Sequence, residues 1–310
     1  MPGMNPRHTV HAEGADLLES CRTSRVETEL RERVIAAFDH PEEHTAISGV
    51  TLHVTRERVA PTLTLFHPTL YVVLQGAKRI ILGGRQIDYS GGQLVLMGLD
   101  VPALVEITEA DGKTPYLAVE LAVDHEVLGE LVALMPPRQP SRPQSVGVHP
   151  LPSSALTATL RLVKLMESPT DARVLAPSVK REILYRVLSS EGGDGLLQMV
   201  RAQEALTGIG RVTNWMHGHL STPIAVEDLA ARARMSVSTF YRAFKDATGT
   251  TPVQYHKMLR LHEARRLVAL RSRSMVSISE TVGYASPAQF SRDYKRAFGT
   301  APAHEARYFS

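Results

Sequence analysis

Hydrophobic and polar positions change period along the chain, and the changes mark its elements. Residues 24–38 place Val26, Leu30, Val34 and Phe38 four apart with Arg and Glu between them, which predicts one amphipathic helix packed on the next unit. From 47 to 123 the period shortens towards two. TLHVTR at 51–56 alternates, and TLYVVLQ, KRIIL, RQIDY, QLVLMG, ALVEI and YLAVELAV follow. Turn residues separate them at Gln75-Gly76, Gly83-Gly84, Ser90-Gly91-Gly92, Gly98 and Asp111-Gly112. Short strands this closely spaced predict a sandwich or small barrel rather than βαβ units. Segments 69–75, 77–82, 93–97 and 102–107 are apolar on both parities. One side should face the interior, the other the helix at 24–38 or a second subunit.

Residues 136–152 hold six prolines, which excludes a helix or a central strand and leaves a linker or extended strap. Helical spacing then returns. LTATLRLVKLMES runs to Pro169, and Ala176-Pro177 is read as the start of a helix with Pro177 at its first position. Gly192-Gly193 should end that helix. IGRVTNWMHGHL puts Val212, Trp215, Met216 and Leu220 on one face.

The last third of the chain contains one pattern twice, fifty positions apart. Phe240-Tyr241-Arg242-Ala243-Phe244-Lys245 is followed by Gly249-Thr250-Thr251-Pro252. Phe290-Ser291-Arg292-Asp293-Tyr294-Lys295 is followed by Gly299-Thr300-Ala301-Pro302. Each copy reads as a helix-turn-helix, over 226–247 and 276–298. In the first, Leu229 and Ala230 pack inward, the turn passes through Arg234-Met235, and Ser236 caps the second helix. Phe240, Ala243, Phe244 and Ala247 share its core face, leaving Ser238, Thr239, Tyr241, Arg242 and Lys245 outside. In the second, Ile278, Val282 and Gly283 form the first helix and turn. Ser286 caps, Pro287 follows, and Gln289 completes a capping-box spacing. Phe290, Tyr294 and Phe298 face inward; Ala288, Gln289, Ser291, Arg292 and Lys295 face out. Gly249 and Gly299 end the two helices. Between the copies, 255–270 reads as one helix with Met258, Leu261, Leu267 and Leu270 buried and Arg260, Arg265 and Arg266 in water.

These residue types suit DNA. Arginine presents a fork to guanine O6 and N7, and glutamine pairs with adenine. Serine and threonine hydroxyls and lysine hold phosphates without reading sequence. Two such helices about 34 Å apart would meet successive turns of one major groove. Charge strengthens the reading. Residues 201–310 carry 16 Lys+Arg against 8 Asp+Glu, whereas residues 1–200 carry 19 against 24. A basic end on a mildly acidic body is the footprint of a nucleic-acid-binding unit. The rival reading, two solvated helical hairpins, does not account for matched caps, glycines and cations in both copies.

The segment from Ile278 to Pro302, ISETVGYASPAQFSRDYKRAFGTAP, resembles the AraC/XylS family of transcription regulators, and the first copy, SVSTFYRAFKDATGTTPVQYHKMLRLHEARRL, supports it. Ser279 departs from the family's usual alanine. HPTLYVVLQGAKRIILGGRQIDYSGGQLVLMGLDVPALVEITEADGKTPYLAVEL is similar to the AraC-type N-terminal domain, and PSVKREILYRVLSSEGG to its connector. The resemblance covers about residues 45 to 305. It implies an α+β multidomain chain: a helical segment 1–44, a cupin-like β-barrel sensor 45–135, a Pro-rich linker and helical connector 136–208, and an all-α DNA-binding domain 209–310. It implies base contact by Arg242 and Arg292. The expected DNA-facing set is Ser236, Ser238, Thr239, Tyr241, Arg242, Lys245, Ser286, Ala288, Gln289, Ser291, Arg292 and Lys295. Double-stranded DNA, RNA polymerase, an unidentified small-molecule effector and a second copy of the chain are the expected partners. Activation and repression both stay open, as do sensing and dimerisation for the barrel.

Cupin barrels also make metal enzymes. Their sites need two histidines one residue apart on a strand, a nearby carboxylate and a later histidine. His53, His67 and His125 lack that spacing and read as surface or loop residues. His217 and His219 lie about 200° apart around a helix and cannot chelate together. Cys21, the single cysteine, excludes an internal disulfide and a cysteine zinc cluster. Gly83-Gly84 and Gly91-Gly92 read as hairpin turns, not phosphate loops. No catalysis, metal or other cofactor is therefore expected. A non-specific architectural DNA binder would carry cations throughout and lack the acidic, folded N-terminal part. The start, MPGMNPRHTVHAEGADLLE, has no apolar signal core, and no run reaches membrane-spanning length. The expected setting is the cytoplasm, without a membrane.

Overall fold

The computed structural model describes residues 7–82, 85–98, 100–136, 146–197, 208–270 and 273–308. Helix α1 (Arg7–Asp39) contains the expected 24–38 segment and precedes the strands β1 (Val50–Thr55), β2 (Val59–Phe66), β3 (Thr69–Gln75), β4 (Ala77–Leu82), β5 (Arg85–Ser90), β6 (Gln93–Met97), β7 (Val101–Glu109) and β8 (Tyr116–Ala122). Helix α2 (His125–Ala133), strand β9 (Val146–Pro150), and helices α3 (Ser153–Lys164) and α4 (Pro169–Leu188) follow. The C-terminal region is helical: α5 (Gly208–Gly218), α6 (Val226–Ala233), α7 (Val237–Thr248), α8 (Pro252–Leu270), α9 (Met275–Thr281), α10 (Pro287–Phe298) and α11 (Pro302–Tyr308).

The strands form two antiparallel sheets, ordered β1-β8-β3-β6-β9 and β2-β7-β4-β5. The chain changes sheets between β3 and β4, at Gly76. Its φ is +76°, and a Cβ there would lie 2.6 Å from the Glu109 carbonyl oxygen, so only glycine fits the corner. Alternation assigns the faces. Tyr71, Val73, Val95, Met97, Tyr116 and Ala118 point between the sheets and meet Phe66, Ile80, Leu82, Tyr89, Ala103, Val105 and Ile107. The opposite parity of the five-stranded sheet, including Leu70, Val72, Leu74, Leu94 and Leu96, packs with Leu30 and Val34 of α1 and with α3 and α4. Double-sided burial of 69–75 and 93–97 is therefore explained by α1 and the connector.

The four-stranded sheet differs. Leu104 on its outer face is 37% exposed. Part of the β2 edge is instead covered by the C-terminal helices, since Leu65 packs beside the first helix-turn-helix core. The proline-rich segment forms a strap where it is described: β9 adds to the sheet edge beside β6, where Pro150 removes no internal ladder bond. Residues 137–145, like Gly83-Gly84, lie outside the described residues.

One helix start needs correction. Pro177 lies inside α4. The start is at Pro169, where Ser168 accepts from the Asp171 amide and proline occupies the first turn. Two proline starts competed, and the capped one prevailed.

Candidate nucleic-acid interface

The two reading helices are built alike. Helices α7 and α10 have 12 residues each. Ser236 accepts from the Thr239 amide and Ser286 from the Gln289 amide, both at 3.3 Å. Gly249 (φ 74°) and Gly299 (φ 79°) close them in the left-handed conformation, donating to the Lys245 and Lys295 carbonyls. Phe240 and Phe244 are fully buried with Leu229, Tyr255 and Leu259. Phe290 and Tyr294 are buried with Ile278, Val282 and Leu267. Ala243, Ala247 and Phe298 are partly buried against these cores.

The opposite faces are open. Ser236, Ser238, Thr239, Tyr241, Arg242 and Lys245 are exposed, as are Ala288, Gln289, Arg292 and Lys295, with Ser286 and Ser291 half-buried. Ser236 Oγ also bonds the hydroxyls of Thr239 at 2.8 Å and Ser238 at 3.3 Å. Among the described residues, Arg242, Lys245, Arg292 and Lys295 have no ion-pair partner. Three other arginines in this region are engaged. Arg232 stacks 4.3 Å over Trp215, Arg266 pairs with Glu263, and Arg265 pairs with Glu305 at 2.7 Å.

Helix α8 departs from expectation. Leu261 and Leu267 are buried, but Leu270 is 58% exposed and Met258 only half-buried. Tyr255, His256, Leu259, Ala264 and Val268 bury instead. Arg260 is not in water: its Nε donates to the Leu220 carbonyl. The helix lies between two cores, so a single apolar stripe does not describe it. Two buried polar links, both missed in the sequence, fix the second unit on it. Asp293, turned inward from α10, pairs with Lys257 at 2.7 Å. Glu305 receives Arg265 Nε and the Tyr294 hydroxyl, each at 2.8 Å. Gly283 (φ 80°) is required where a Cβ would fall 2.7 Å from Ser221 Cα. Ser279 is fully buried and its hydroxyl has no partner.

The β sandwich grips this region through Asp100. Its carbonyl accepts from the Tyr255 hydroxyl at 2.7 Å, and its carboxylate lies 2.6 Å from His67 Nδ1 and 3.6 Å from His217 Nε2. The hydrogen bond to Asp100 raises the His67 value, while burial lowers that of His217. His219 stacks on Trp215, so His217 and His219 diverge as expected. His67 is an exposed loop residue. His53 is corrected: it sits half-buried on β1, 2.6 Å from Glu120. His125 opens α2.

Inside the sandwich, sequence reasoning missed a polar cluster. Lys78 on β4 is 9% exposed, with its ammonium 5.5 Å from the Tyr116 ring centre and 5.7 Å from those of Phe66 and Tyr71. Its signal was a lysine at an inward parity between Gly76 and Ile80. Burial would raise the Glu120 carboxyl, but hydrogen bonds from His53, Tyr71 and Thr69 leave it below the usual range.

Residues 46–195 match the AraC-type transcriptional regulator N-terminus, and residues 229–307 match a helix-turn-helix domain. The chain belongs to the AraC/XylS family. It is 30% identical over 191 residues to the RCS-specific HTH-type transcriptional activator RclR of Escherichia coli, spanning 61% of this chain and 58% of RclR. It is 28% identical over 156 residues to the HTH-type transcriptional activator RhaS of Salmonella arizonae, spanning 48% and 53%. The matches thus span little more than half of these AraC/XylS relatives' lengths. Unsaturated fatty acid bound ToxT of Vibrio cholerae shares the fold at a TM-score of 0.56 and 10% identity, over 83% of this chain and 93% of ToxT. An apo ToxT variant gives 0.57 over 86% and 100%.

Proposed function

We propose that the chain is a sequence-specific DNA-binding transcription regulator acting in the cytoplasm, and not an enzyme. The observation that carries this reading is the pair of matched, capped helices whose outward cations Arg242, Lys245, Arg292 and Lys295 are exposed and unpaired among the described residues. Unpaired arginine and lysine on two helices joined by α8 can exchange water and counterions for phosphates and base edges. Arg242 and Arg292 read bases; Ser238, Tyr241 and Gln289 add contacts; Lys245 and Lys295 hold phosphate. Ser236, Thr239, Ser286, Ala288 and Ser291 complete the surface.

The division of labour assigns sensing to 45–135, connection to 136–208 and DNA binding to 209–310. Relatives named as activators favour activation, with RNA polymerase as the further partner. The name of the fatty acid-bound ToxT structure supports a small-molecule effector in the sandwich. So does the buried polar cluster around Lys78. Among the described residues no helix is long and apolar enough to cross a membrane.

Fluorescence anisotropy of the full chain on duplex DNA at several salt concentrations tests the reading. The logarithm of affinity should fall linearly with log salt, at about −0.9 per phosphate neutralised. A folded protein without salt-sensitive affinity for DNA overturns it.

A further inference from the structure

The sandwich and the DNA-binding region meet at a joint where imidazoles gather. Helix α8 packs on β2 and β7, and α10 packs on β2. The helical side presents His217 from α5, and Tyr255 and His262 from α8. The sandwich side presents the Leu63 backbone, His67 and Asp100. The Tyr255 hydroxyl donates to the Asp100 carbonyl at 2.7 Å, and His217 Nε2 lies 3.6 Å from the Asp100 carboxylate. His262 lies against the Leu63 backbone of β2, and its ring meets Phe298 in a T-shaped contact.

Charge at this joint balances only while the helical imidazoles are neutral. Asp100 is the carboxylate that faces His67 and His217, and His67 Nδ1 already engages it at 2.6 Å. Both members of that pair belong to the sandwich, so their bond does not depend on docking. His217 Nε2 is shut off from solvent and has no hydrogen-bond partner. Its ring centre is 6.5 Å from that of His67. A proton on His217 therefore meets a carboxylate that is already paired, beside a second cation. Burial holds His217 below its ordinary value; Asp100 opposes this and His67 adds to it. Burial pushes His262 down to about 4, against the pull of the Leu63 backbone, with Arg265 and His67 adding to the fall. His67 runs the other way: its bond to Asp100 raises it against burial, and Glu120 of β8 helps.

We propose that this joint is a proton-sensitive latch, which holds the DNA-binding region on the sandwich while His217 and His262 are neutral and releases it when they are protonated. Undocked, both imidazoles return to water and bind protons more readily. The undocked state thus gains protons as pH falls below about 6.5, and docking weakens in that direction. The regulatory meaning rests on the reading of the chain as a DNA-binding regulator, since α10, one of its two reading helices, is among the elements tied to β2.

The test is single-molecule energy transfer in the full chain, with dyes on Lys113→Cys of the sandwich and Ala269→Cys of α8, both exposed positions, in a Cys21→Ser background. One closed population is expected at about pH 8, and the ratio of closed to open molecules should fall at least about tenfold by about pH 5.5. Circular dichroism should stay native over that range. Replacing both helical imidazoles, His217→Gln with His262→Gln, should keep the joint closed at the acid end. Asp100→Asn removes the facing carboxylate but keeps the carbonyl that Tyr255 bonds, so it should move opening to higher pH; it reports even if the glutamine variant fails to dock. His219→Gln, at an exposed ring stacked on Trp215, should leave the midpoint where it is. The proposal is overturned if the closed population is the same at both ends of the range, or if helicity is lost with the same midpoint. It is equally overturned if the glutamine variant opens as the wild type does, or if Asp100→Asn leaves the midpoint unmoved. DNA binding by the same preparations separates the two readings. Protein that binds DNA and stays closed in acid overturns the latch alone, and protein that opens in acid and binds no DNA overturns the regulator reading.

Discussion

Replacing Lys78 with methionine should stabilise the β sandwich at neutral pH. Burial pushes the ammonium down from its ordinary 10.5 to about 8, so the folded state resists carrying the charge. Each pH unit between those values is worth about 1.4 kcal/mol, which puts the cost of the charged form at about 3 kcal/mol. The rings of Tyr116, Phe66 and Tyr71 are already part of that environment. Methionine fills similar volume without charge, so Lys78→Met should gain about 1 to 3 kcal/mol at pH 7. The pH dependence gives the sign. Between about 8 and 10.5 the unfolded chain binds more protons than the folded chain, so wild-type stability rises with pH. The penalty is complete below about 8 and gone above 10.5, and the advantage of the variant should shrink over the same window. Urea unfolding at pH 7 to 10.5, read by pulsed hydrogen exchange in β4 and β8, follows the sandwich separately from the helical region. A variant less stable than wild type at pH 7, or a difference independent of pH, would refute the reasoning.

Ser279→Ala should stabilise the second helix-turn-helix by about 1 kcal/mol, because it removes a buried hydroxyl without a partner; denaturant unfolding checks this. Glu305→Ala should destabilise the same unit by about 2 kcal/mol or more, leaving Arg265 and the Tyr294 hydroxyl without their acceptor; exchange in α10 and α11 reads the loss. His262, which burial pushes down to about 4, contributes stability that is full above pH 6.5 and lost as pH falls towards 4. His262→Gln should blunt that acid sensitivity in thermal unfolding scans.

The alternation in 51–123 made the strands legible, and the doubled-parity apolar runs made it legible that one sheet is covered on both sides. They did not distinguish the two sheets, because Ile81 and Leu104 on the second sheet are apolar without being deeply buried. The caps and closing glycines of α7 and α10 were local, repeated signals, and the structure places those side chains where local rules put them. Contacts distant in sequence were not legible. Lys257 with Asp293, Arg265 with Glu305, and Asp100 with Tyr255 join residues that no period relates. Lys78 stood out only as a charge at an inward position, and its meaning needed the rings that four other strands bring to it.

The central claim is that Arg242 and Arg292 read bases from two helices of one unit. The most direct measurement is base-resolved affinity: randomised duplexes selected and sequenced with wild type, Arg242→Ala and Arg292→Ala. The account predicts that each variant costs specific binding about 1 to 3 kcal/mol. Each should erase preference at one short stretch, the two stretches lying about one helical turn apart. Equal loss on every sequence, with the base preferences intact, would contradict it.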